Sequence, residues 1–138
     1  MSKEIEALIP HRYPFLFVDK IISADEKGTV ATKVFRKEEN SMLLGSFPEF
    51  DFIPGMIIIE SMAQVGGAGV KQAGLAEGFF GLASMKNVRL FKGVAYDEEI
   101  KYVVNNIRVS NKIISQSGTA FCQNEPVAEA SWICARID

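Results

Sequence analysis

A chain of 138 residues, 48% of them hydrophobic, is long enough for one packed core and too apolar for disorder. Its net charge of −2, with Lys and Arg scattered singly, excludes the basic face that nucleic-acid binding requires. No apolar run reaches the ~20 residues of a membrane helix. The N-terminus "MSKEIEALIPHRYPF" carries acidic residues where a secretory signal has a basic start and an apolar centre. A cytoplasmic protein with no nucleic-acid or membrane partner is expected.

In chain order, "KEIEAL" predicts a short helix that stops before Pro10. "PFLFVDKIISAD" is rich in aromatic and β-branched residues and predicts a strand. "EKG" marks a turn, and "TVATKVFRK" alternates like a strand paired back on the first. A loop follows from Glu38 to Gly55, broken by Pro48 and Pro54. Pro54-Gly55 opens the one long helix, Met56 to about Ala73, closed by Gly74. The glycine cluster "GGAG" falls inside it. "FFGLASMKNVRLFKG", "EIKYVVNNIRVS", "KIISQSGTAFC" and "VAEASWICARI" then read as strands of an antiparallel meander, the last two joined by a turn at "QNEP". No linker or repeat divides the chain, so residues 1–138 are expected to form a single domain.

Cys122 and Cys134 fall on that last pair of strands. A turn at "QNEP" sets Cys122 opposite Val127 and Cys134 opposite Ser115, so two free thiols are expected. There is one histidine, His11, and no Cys or His pair at ligand spacing, which argues against a metal site. No cofactor is implied.

The long helix is apolar around most of its circumference: Met56, Ile57, Ile58, Ile59, Met62, Ala63, Val65, Ala68 and Val70. A helix of that kind is wrapped by a sheet rather than laid on a surface. The expected fold is α+β, an antiparallel sheet curled around one central helix in the hot-dog manner. A single such layer leaves a sheet edge uncovered, so a second copy is expected to cover it.

The helix carries one early carboxylate, Glu60. It begins a stripe with Gln64, Gly67 and Lys71 that is either a wetted face or the floor of an apolar cleft. In a cleft, burial would raise the carboxyl pKa and make Glu60 a candidate general acid. Gly55 stands at the helix N-terminus, where backbone N–H groups lack intrahelical partners. It either simply starts the helix or lets a thioester carbonyl be polarised there, as in an oxyanion hole. His11, at a loop-to-strand junction, is more often structural than catalytic in such a setting. Ser46 has no histidine beside it in sequence to activate it as a nucleophile.

The motifs "LIPHRYPFLFVDKI", "GSFPEFDFIPGMIIIESMAQ" and "VAEASWICARI", spread over nearly the whole chain, resemble the β-hydroxyacyl-(acyl carrier protein) dehydratases of bacterial fatty-acid synthesis. That family's loop reads G-H-F-P-G-H/K-P-x-x-P-G. Its catalytic histidine lies fourteen residues before a catalytic glutamate from the other subunit. On this pattern Glu60 matches the glutamate, Gly55 the glycine that holds the thioester oxygen, and Gln64 the glutamine that follows. The histidine position is Ser46. Glu49, Phe50 and Asp51 also depart from the pattern, as does "GVAYDEE", Gly93 to Glu99. Phe47 and Pro54 lie in the same loop and are expected, with Gln64, on the substrate side.

The resemblance implies a dimer, or a trimer of dimers, with an acyl tunnel between subunits and an acyl thioester substrate on acyl carrier protein or coenzyme A. Serine is a far weaker base than histidine, so dehydration is expected to be weak or lost. Pairing with an active paralogue that supplies histidine is one consistent arrangement. The alternatives are a dehydratase with a rearranged base, Glu60 or Asp51, and a hot-dog thioesterase using Glu60 with Gly55. An acidic carrier needs local positive charge at the tunnel mouth. Lys86, Arg89 and Lys92 are the candidates, with Arg12 a lesser one.

Overall fold

A computed structural model describes residues 2–138. Helix α1 (Ser2–Glu6) is followed by strands β1 (Lys20–Ala24) and β2 (Gly28–Val34) and two short 3-10 turns, Lys37–Glu39 and Ser41–Gly45. Helix α2 (Gly55–Gln72) comes next, then β3 (Phe80–Leu90), β4 (Glu99–Val109), β5 (Ile113–Cys122) and β6 (Glu125–Arg136). The six strands form one antiparallel sheet in the order β1-β2-β4-β5-β6-β3. It packs around α2, as the apolar helix predicts.

The ends of α2 follow from local chemistry. Pro54, at φ −55° and ψ 132°, is extended, and its carbonyl accepts the first helical N–H groups, those of Ile57 and Ile58. At the far end Gly74 adopts φ +70°. The Leu75 N–H then reaches the Val70 carbonyl and the Gly74 N–H that of Lys71, a Schellman stop that needs a left-handed residue. Ile58, Ile59, Met62, Val65 and Ala68 are buried against Tyr102 and Val104 of β4, Ala120 of β5 and Trp132 of β6.

The glycine cluster has a packing cause. A Cβ on Gly69 would come within 2.6 Å of the Thr29 Cβ on β2, and one on Gly66 within 2.9 Å of the Gln116 Cδ on β5. The bare helix backbone lets both strands close on it. The Gln116 amide then donates to the Gly66 carbonyl at 3.1 Å and accepts from the Trp132 indole at 3.0 Å.

Three sequence expectations are corrected. Residues 14–19, predicted as the start of a strand, lie outside the sheet, and β1 begins only at Lys20. The Phe17 backbone bonds to side chains of α2 instead: its N–H to Gln64 Oε1 at 2.8 Å and its carbonyl to Ser61 Oγ at 2.6 Å. The last four strands are not a simple meander. Because β2 and β5 occupy both sides of β4, β3 is left to pair with β6 at the far edge. The β5–β6 turn is tighter than "QNEP". Only Gln123 and Asn124 turn, at φ 53° and 65°, the left-handed pair that suits a two-residue hairpin. Cys122 therefore faces Glu125, and Cys134 faces Ile114. The two cysteines remain apart and free.

Among the described residues no helix is long and apolar enough to cross a membrane.

Candidate active site

The stripe of α2 that begins at Glu60 is the floor of a cleft of about 120 Å³. Its walls come from the N-terminal segment, the start of β3, and β5 and β6. Among its lining residues are His11, Glu60, Gln64, Lys71, Phe80 and Cys134. All four residues of the stripe, Glu60, Gln64, Gly67 and Lys71, line this cleft. Glu60 keeps 26% of its side chain exposed, so its carboxylate sits at the mouth of the cleft rather than sealed within it.

Glu60 is held by one neighbour and faced by another. Gln64, one turn along α2 and buried, donates to Glu60 Oε2 at 2.9 Å. The same amide nitrogen donates to the Phe15 carbonyl at 3.1 Å, while Gln64 Oε1 accepts the Phe17 N–H. One glutamine thus fixes the carboxylate and straps the N-terminal segment to α2. That strap carries His11 across the cleft mouth, where Nε2 stands 3.6 Å from Glu60 Oε2. The gap is longer than a hydrogen bond. Burial is the largest influence on the imidazole; together with the Arg12 cation it outweighs the Glu60 carboxylate and holds His11 below its usual pKa. Nδ1 is buried without a hydrogen-bond partner. No local motif links positions 11 and 60, and only the fold brings them together.

At the inner end of the stripe Lys71 donates to the Gly78 carbonyl at 2.8 Å and lies over the Phe79 ring. The Cys134 thiol is pushed up to about 11, first by burial and then by the Glu60 charge, so it is a poor nucleophile at neutral pH.

A long helix wrapped by a curled sheet recurs in known proteins. The model of the FabA-like domain matches residues 9–131. The chain is 36% identical to a 3-hydroxyacyl-[acyl-carrier-protein] dehydratase FabZ of Geobacillus thermodenitrificans, over 99% of this chain and 94% of the relative. It is 32% identical to a FabZ of Listeria monocytogenes, over 99% and 95%.

The chain belongs to the FabA-like family.

Solved structures agree on the fold. The dehydratase heterocomplex ApeI:P from Xenorhabdus doucetiae superposes with a TM-score of 0.80 at 17% identity, over 97% of this chain and 91% of that one. A hypothetical thioesterase with coenzyme A from Streptococcus pneumoniae superposes at 0.66 and 12% identity, over 99% and 96%. At these identities the likeness is one of architecture.

The other residues singled out from the FabA-like sequence are absent from the lining of this cleft within one chain. Ser46 ends the second 3-10 turn and does not line the cleft; its hydroxyl donates to the Leu43 carbonyl at 2.7 Å. Phe47 is partly exposed and packs on Phe52, with ring centroids 4.9 Å apart. Pro54 and Gly55 start α2. The space beside Gly55 is filled by the Leu90 side chain, with Cδ2 3.2 Å from where a Cβ would sit, so this glycine has a packing reason of its own. Asp51 is exposed and paired with Lys37 at 2.8 Å, and it is absent from the cleft lining. Lys86 and Arg89 are exposed on β3, flanking Asn87 at φ 55°. Lys92 follows and pairs with Glu125 at 3.3 Å. Arg12 is occupied by the Ile9 and His11 carbonyls.

Proposed function

We propose that this FabA-like protein binds 3-hydroxyacyl thioesters through the Glu60 cleft and dehydrates them slowly, because position 46 of its loop supplies a hydroxyl instead of a base. The observation that carries this reading is the Ser46 hydrogen bond. An oxygen that donates its proton to the Leu43 carbonyl is a placed donor, with no neighbouring base to turn it into an acceptor of the substrate's C2 proton. Glu60 and Gln64 keep their places in the cleft, so thioester binding and leaving-group assistance are retained. The assembly is a homo-oligomer, or a heteromer with a histidine-bearing paralogue, in which β3 supplies the free sheet edge.

Two measurements test this reading. On a 3-hydroxyacyl pantetheine thioester, enoyl absorbance and thiol release are followed together. Enoyl formation without thiol release is expected, and thiol release would instead make the protein a thioesterase. Glu60→Gln should lower enoyl formation by ~10²-fold or more with an unchanged melting temperature, since the new amide oxygen still accepts the Gln64 bond. Equal turnover in both proteins would retire Glu60.

Carrier docking is the second expectation. Arg89 and Lys92 lie near the free edge of the sheet, where an acidic carrier would meet positive charge. Reversing both charges should weaken carrier binding and flatten its salt dependence, because steering by surface charge is screened by salt. Binding that stays the same at every salt concentration would remove this face from consideration.

A further inference from the structure

The loop position lacks a base, yet the cleft contains one. His11 is the chain's single histidine. Its Nε2 lies 3.6 Å from Glu60 Oε2, at the mouth of a cleft lined by both residues. The two groups come from one protomer. Gln64 sets their spacing from both sides, by its bond to Glu60 and by its bonds to Phe15 and Phe17 of the segment that carries His11. Ser46 and Asp51, the other groups considered for the base, have their polar atoms engaged elsewhere and lie outside this cleft.

We propose that His11 is the base of the slow dehydration, working with Glu60 of the same chain as the acid. This rests on the reading of the cleft as an acyl-thioester site. The step requires the pair's one proton to start on Glu60. The substrate's C2–C3 unit lies across the cleft mouth against both groups, with its C2 hydrogen toward Nε2 and its C3 hydroxyl toward Oε2. Nε2 takes the C2 proton, the electron pair of the broken C–H bond forms the C2=C3 double bond, and the C3–O bond breaks. Glu60 gives its proton to the departing hydroxyl, which leaves as water. An imidazolium and a carboxylate remain, and transfer of the proton from Nε2 to Oε2 restores the pair. No other reactant is needed.

The same geometry explains why the step is slow. Nδ1 is buried with no partner, so nothing on that side steadies the imidazolium as it forms. A histidine base is ordinarily backed by a group on its second nitrogen. Burial and Arg12 further disfavour the charged ring.

The test separates base chemistry from binding. Wild type, His11→Asn and His11→Ala are each incubated in D2O with a 3-hydroxyacyl pantetheine thioester. Loss of the C2 proton signal and appearance of the enoyl product are followed by NMR. Binding of the unreactive thioether analogue is measured alongside. Wild type should exchange C2 hydrogen and form enoyl product. His11→Asn should lose at least ~10-fold in both and bind the thioether as before. Added imidazole should restore part of the loss in His11→Ala, which a purely structural role would not allow. Binding without exchange in wild type, or a folded His11→Asn with undiminished exchange and turnover, overturns the assignment of His11 and leaves the acyl-thioester reading in place. Failure of wild type to bind the thioether overturns both.

Discussion

Ser46→His should raise dehydratase turnover by at least ~10-fold, toward the 10²–10⁴-fold range of a placed acid–base group. Ser46 ends a 3-10 turn with helical backbone, φ −69° and ψ −42°, a conformation that histidine adopts without strain. The substitution gives up one hydrogen bond, to the Leu43 carbonyl, on an exposed loop. In exchange the loop gains a group with reach and a pKa near neutrality. The loop has its own supports: the Lys37–Asp51 pair at 2.8 Å and the stacking of Phe52 with Phe47 and Phe50. The gain should disappear when Glu60→Gln is added, because base and acid act as one unit. It should persist in His11→Asn, since the loop base and His11 are separate sources of the same function. A Ser46→His protein that folds, binds acyl thioester and turns over no faster than wild type would show that this loop no longer delivers position 46 to a substrate.

The largest loss of stability is expected from Trp132→Ala, ~3–5 kcal/mol from the emptied volume, with a fall in melting temperature of more than ~10 °C. Trp132 is 1% exposed, and its indole N–H satisfies the Oε1 of Gln116, itself 1% exposed. Truncation removes the ring and orphans that oxygen, and a buried unpaired acceptor adds ~1–3 kcal/mol. The damage should spread to α2, because the Gln116 amide also bonds to the Gly66 carbonyl and to Asn106 Oδ1. Trp132→Phe keeps most of the ring and should lose about half as much in chemical denaturation. Equal losses for the two variants would mean that the indole hydrogen bond, which both variants lose, outweighs the emptied volume.

Pattern and propensity made most of this fold legible. The run from Met56 to Val70 announced a helix apolar on nearly all sides, and such a helix implies a wrapping sheet. Pro54, Gly55 and Gly74 marked its ends because each has a backbone role there. Three things escaped. The segment at Pro14–Asp19 has strand-like composition, but its partners are the Gln64 and Ser61 side chains rather than a neighbouring strand, and composition does not distinguish the two. The position of β3 depended on β2 taking the free side of β4, a long-range choice with no local mark. The register at Cys122 and Cys134 turned on two left-handed residues and on an irregularity between Ala120 and Phe121. Within the site, Glu60, Gly55 and Gln64 stood out through the helix and its resemblance to the dehydratases. His11 did not, because its proximity to Glu60 exists only once residues 47 and 49 positions apart in sequence are joined through Gln64.

The Gln64 strap also gives the cleft a particular mode of failure. The segment from Pro10 to Asp19 is anchored to α2 by three hydrogen bonds clustered at Ser61 and Gln64 and has no sheet ladder over most of its length. Releasing it also exposes Phe17 and Val18, which are buried in the core, so it opens only as one cooperative unit. When it does, Gln64 loses its backbone partners at Phe15 and Phe17, and His11 leaves the cleft mouth in the same event. On the roles proposed for them, release of the segment removes the base and loosens the support of the acid in one step, as a two-state latch.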